Sequence, residues 1–146
     1  MPNELSESCS VIEECYEYML AYAGQGLAGG DGVNAQDGLI RDFLSRTARA
    51  LASLEDAYVS AVAGVSPASP YAAFQAVLAR DAKDSLAVVE LALAQPVISS
   101  QLIDNLNASI HVRALLTDLF LIDEILKANA HSGSEESPAG AAGSAH

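Results

Sequence analysis

Three polar residues on the last long apolar segment come closest to a chemical constellation. Asp104, His111 and Asp118 stand seven residues apart, with Asn107 near the same line. In a helix a step of seven returns to almost the same side, so two carboxylates and an imidazole share one face. Such a set suits a divalent metal or a proton relay. Successive members are separated by about 10.5 Å along the axis, however, so a single ion needs ligands from another helix. Glu13, Glu14 and Glu17 are the candidates, with Asp81 and Asp84 behind them. Carboxylate-bridged metal bundles draw a Glu-x-x-His pair from each of two helices. Here Glu14 and Glu17 have the spacing but are both carboxylates, and His111 is the one histidine outside the terminal tail. A ferritin-like di-metal bundle serving metal storage or redox chemistry is therefore the alternative reading, and a hydrogen-bonded or solvated His111 the primary one.

Other chemistries find less support. Asp31-Gly32 and Asp37-Gly38 lack the alternating ligands of a calcium loop and read as turns. The serines sit in no Gly-x-Ser-x-Gly elbow, and the glycine-rich stretch lacks the Gly-Lys-Ser/Thr ending of a phosphate loop. Cys9 and Cys15 have no basic neighbour to lower a thiol pKa. Six apart, they are expected to diverge on a helix, about 9 Å apart along its axis, and not to pair. Asn107-Ala108-Ser109 matches a glycosylation acceptor, taken as coincidence within a helix. The expectation is a non-catalytic protein without a cofactor.

Charge narrows the partners. The chain has 146 residues and a formal charge of −12, from 19 acidic against 7 basic side chains. Such a chain is repelled by phosphate backbones and anionic lipid, so nucleic acid and membrane are excluded as partners. The first 40 residues hold seven carboxylates and no Lys or Arg, where a basic partner or cation could dock, although a solvated helix face is the plainer account. With no secretory signal and no apolar run of spanning length, the expected location is the cytoplasm.

Periodicity supplies the scaffold. One domain is expected over residues 1–130, all-α, as an antiparallel up-and-down four-helix bundle. The first helix runs from Ser6 to Ala23, with Ile12, Tyr16, Met19 and Ala23 on its apolar side. Gly24 to Gly38 holds six of ten glycines and reads as a mobile connection. A second helix, Gln36 to Gly64, carries Ile40, Phe43, Thr47, Leu51, Leu54, Tyr58, Ala61 and Val65 on one seam. Pro67 and Pro70 end it, and Ser69 is expected to cap a third helix from Pro70 to Ala94. Its core line includes Phe74, Leu78, Ala82 and Val89, while Val77, Val88 and Leu91 fall on its wetter side. A fourth helix is expected from Ser99 or Ser100 to Lys127 or Asn129. Residues 131–146 are too poor in apolar side chains to offset ordering and read as a disordered tail.

The fourth helix carries two apolar stripes. Ile103, Leu106, Ile110, Ala114, Thr117, Leu121 and Ile125 form one, assigned to the core. Val112, Leu115, Leu119, Ile122 and Leu126 form another, roughly 140° around the helix. Five aliphatic side chains left in water would forgo on the order of 8–15 kcal/mol of transfer free energy. The second stripe, with Val77, Val88 and Leu91 as its counterpart, is therefore the expected interface of a homo-oligomer, a two-fold dimer first, or of another protein. The function so implied is a chaperone-like scaffold or adaptor acting by self-association and protein binding.

Overall fold

The computed structural model describes residues 3–24 and 31–144, and side chains over 3–24 and 37–129. It is all-α: α1 (Glu4–Gly24), α2 (Asp31–Ala61), α3 (Ala68–Leu93), α4 (Ser100–Ala108) and α5 (Ile110–Ser144). The packing is compatible with a bundle, but of five helices where four were expected. Two compact units divide the chain, Met1–Leu116 and Thr117–His146, with the boundary inside α5.

In the first unit, α1 starts where Asn3 Oδ1 accepts the Ser6 amide at 2.7 Å, and Glu4 and Glu7 lie in the first turn, favourable to the helix dipole. Its buried side is Leu5, Cys9, Ile12, Cys15, Met19 and Tyr22, a broad arc at helical spacing. Both cysteines fall within that arc, against the expected divergence, and both are buried thiols outside any disulfide. α1 packs on α2 and on α4, α2 on α3, and α3 on α4. The α2 seam follows the sequence pattern closely, with Ile40, Thr47, Leu51, Leu54 and Tyr58 buried beside Leu44 and Ala57. Phe43, half-buried, stacks on Tyr18 with ring centroids 4.3 Å apart.

The helix ends differ from expectation for identifiable reasons. Helical backbone begins at Asp31, so only 25–30 of the expected connection lie outside the described residues. After α2, Gly64 adopts φ +78°, a left-handed geometry that glycine takes without steric penalty. α3 starts at Ala68 behind Pro67, not at a Ser69 cap. Pro70 then sits in the first turn, where amides lack intrahelical partners and a missing N–H costs nothing. Ser99 does cap α4, accepting the Leu102 amide at 3.1 Å. At the other end, the α5 backbone stays helical to Ser144, through residues expected to be disordered. Continuing an established helix fixes one residue per new hydrogen bond and avoids the costly nucleus, so it does not depend on apolar packing. Among the described residues no helix is long and apolar enough to cross a membrane.

Candidate functional site

The expected single terminal helix is broken at Ser109. That residue has extended ψ of 131°, its amide still bonds back to Leu106 O at 3.0 Å, and its hydroxyl accepts the His111 amide at 3.3 Å. Serine side chains compete for backbone donors in this way, closing one helix and capping the next. The break resets the helical phase. Before it, Ile103 and Leu106 are buried; after it, the buried line is Val112, Leu115, Leu116, Leu119 and Ile122. Their mean directions on one uninterrupted helix would differ by roughly 175°. Both sets of side chains are thus buried, and the turn at Ser109 accounts for their different phases along the sequence. Four of the five residues assigned to an interface, Val112, Leu115, Leu119 and Ile122, are buried in the single chain, and Leu126 is half-buried. Burial already keeps them from water, so the energetic reason for a partner at that stripe no longer holds. Conversely Ile110 and Leu121, assigned to the core, are 72% and 52% exposed.

Exposed apolar side chains occur at several places along the chain, and two of them, Leu91 and Val97, line a concavity where α3 meets α4. An open cleft of about 550 Å³ is lined by Val88, Leu91, Pro96, Val97, Leu102 and Leu106, with Asn105 and Ser109 at its polar edge. Leu91 is 65% exposed and Val97 52%. Val88 and Leu91 had been expected on the interface, and they are accessible here; Val77 is also exposed but does not line the cleft. Among the described residues no ionisable side chain lines it.

One wall is the 94–99 turn, and a polar strap from α1 and α2 holds it. Arg41 Nε pairs with Asp37 Oδ2 at 2.6 Å. Its Nη1 donates to Leu93 O at 3.0 Å, and its Nη2 to Gln95 O at 2.6 Å and Pro96 O at 3.1 Å. Leu93 O belongs to the last turn of α3 and Gln95 O and Pro96 O to the turn that follows, at the negative end of the helix dipole where acceptors lack intrahelical partners, so a planar cation with several donors suits the place. Asp37 Oδ1 accepts the Ile98 amide at 3.3 Å, and the buried Tyr22 hydroxyl donates to Ile98 O. Burial, then the Asp37 carboxylate, pushes the Tyr22 pKa above its usual 10.0, so the hydroxyl keeps the proton it donates.

The expected metal ligands do not converge. Among the described residues no three His, Cys, Asp or Glu side chains gather where they could hold an ion. Glu14, Glu17, Asp104 and His111 are exposed, and Glu13 and Asp118 half-buried. His111 Nδ1 lies 3.9 Å from Asp84 Oδ2 at the surface, and its backbone carbonyl accepts from Ser85 Oγ at 3.0 Å. The line of Asp104, His111 and Asp118 required one continuous helix, and the break between Asp104 and His111 removes that geometry. The acidic N-terminus meets partial compensation within the chain, since Glu4 and Glu7 share a surface depression with Arg46 and Arg49.

Asp37, Arg41 and Tyr22 escaped the sequence reading. One signal was available: Arg41 is the first cation in the chain, beside the buried Ile40 and four residues after Asp37. No family model, curated protein or solved structure matches this chain.

Proposed function

We propose that the protein is a non-catalytic adaptor that binds another polypeptide in the α3–α4 cleft. The observation that carries this reading is the cleft itself, an apolar concavity with Leu91 and Val97 largely in water and no ionisable group among the described residues of its lining. Exposed apolar concavities rimmed by polar groups are the usual form of protein-binding grooves. The Arg41 strap supports it further, because a fixed wall loses little freedom when a partner docks. The cytoplasm remains the location we favour, and an up-and-down order of helices the topology.

A peptide-display library selected on the full chain and counter-selected on L91E tests the proposal. Clones that bind only when Leu91 is present are expected; a library yielding none overturns the reading. Light scattering at micromolar concentration reports on self-association through the same face. A dimer that L91E converts to the 15.1 kDa monomer would make a second copy the bound polypeptide.

A further inference from the structure

The geometry points to a basic amphipathic helix as the occupant of the α3–α4 cleft, its aliphatic side chains seated on Leu91, Val97 and Leu102 and its Lys or Arg residues on the surrounding acidic surface. This rests on the cleft being a polypeptide-binding site and adds the chemistry of the partner. The lining selects apolar side chains, since among the described residues it holds no ionisable group to neutralise a buried charge. The surroundings select the sign of the flanks. Between Lys83 and Arg113 the chain holds Asp84, Glu90 and Asp104 and no Lys or Arg, and Glu90 and Asp104 are exposed and next in sequence to the lining residues Leu91 and Asn105. Arg41 reaches the turn from α2, but its guanidinium is engaged by Asp37 and three carbonyls. The whole chain adds a charge of −12, a field that attracts a cationic partner and repels a second copy of itself. An apolar groove with acidic margins is complementary to a helix with an aliphatic stripe and basic flanks.

Three synthetic helices of equal length, with the same leucine stripe and flanks of Lys, Gln or Glu, test this against the full chain by fluorescence anisotropy. The Leu/Lys helix is expected to bind at least about tenfold more tightly than the Leu/Gln helix, with the Leu/Glu helix weakest. L91E should weaken Leu/Lys binding by about tenfold or more although it adds negative charge, and E90Q/D104N should narrow the Lys-over-Gln preference. Equal binding of the Lys and Gln helices, both sensitive to L91E, overturns the basic partner and leaves the cleft as a binding site. Leu/Lys binding that L91E leaves intact or strengthens is charge attraction elsewhere and overturns the inference. Failure of both the Lys and Gln helices overturns it together with the cleft reading, as does their binding only at other surfaces. A dimer lost in L91E identifies a second copy as the occupant and overturns the basic helix.

Discussion

Replacing Arg41 should both destabilise the fold and loosen the cleft, and the size of the effect can be worked from the four contacts. A hydrogen bond from a charged donor contributes about 1.5–3 kcal/mol when buried. The Arg41 side chain is 30% exposed, so each of the three carbonyl contacts is better taken as about 1 kcal/mol, because water reaches part of the site after truncation. The pair with Asp37, at i,i+4 and partly solvated, adds about 0.3–0.5 kcal/mol. R41A should therefore cost about 3 kcal/mol, a factor of about a hundred in the folding equilibrium. R41K should lose about 2 kcal/mol of that, since one ammonium cannot serve three carbonyls and a carboxylate in the same plane. Urea unfolding followed by circular dichroism gives the free energies. Hydrogen exchange at the Ile98 amide, which donates to Asp37, reports on the turn itself, and its protection should fall in both variants. An R41A change below about 0.5 kcal/mol, or complete rescue by Lys, would refute the idea that a planar strap fixes the turn.

Two further outcomes separate buried from exposed groups. Burial raises the pKa of the Cys15 thiol above its ordinary 9.0, with Thr47 and Arg46 opposing, and burial raises the Tyr22 and Tyr58 hydroxyls above 10.0. The folded chain thus holds these protons more tightly than the unfolded one, so stability is complete below about pH 9 and declines as pH rises past it. Urea midpoints measured from neutral pH upward should show this decline, with C15A removing its earliest part; constant stability to about pH 11 would contradict it. L119A, at a side chain 0% exposed, should cost about 2–5 kcal/mol, whereas L91A should stay within about 0.5 kcal/mol. Comparable costs in thermal melts would show that burial does not distinguish the two leucines.

The long helices were legible because their cores rest on a period that composition cannot hide. Ile40, Leu51, Leu54 and Tyr58 on α2, and Leu78, Ala82 and Val89 on α3, are buried where the 3.6-residue repeat places them. Boundaries were less legible, since Pro70 and Ser69 satisfy both a cap and a first turn, and local signals cannot choose between them. The cleft was half visible. Val88 and Leu91 stood out as apolar residues on the wetter side of α3, but Pro96, Val97 and Leu102 join them only through the turn between α3 and α4. The Arg41 strap was least visible, because its carbonyl acceptors lie more than fifty residues away and are backbone groups carrying no residue signature.

The break at Ser109 shows how one local feature decides a distant conclusion. Asn107-Ala108-Ser109 reads in the sequence as an acceptor-like trio, yet its physical meaning lies in Ser109, whose hydroxyl takes the His111 amide in place of a helical hydrogen bond. Continuing the helical wheel through Ser109 projects Ile103 and Leu106 onto Ile110 and Leu121, and leaves Val112, Leu115, Leu119 and Ile122 over as a surplus stripe that seems to require a partner. With the phase reset at Ser109 those side chains are buried, while Ile110 at the break, Phe120 and Leu121 on α5, Leu91 on α3 and Val97 on the turn are exposed, and of these Leu91 and Val97 line a common cleft. A stripe argument on an apparent helix of some thirty residues is therefore only as sound as its least helical residue. The reason to look for a partner in this chain moves from the stripe of Val112, Leu115, Leu119 and Ile122 to the cleft beside α4.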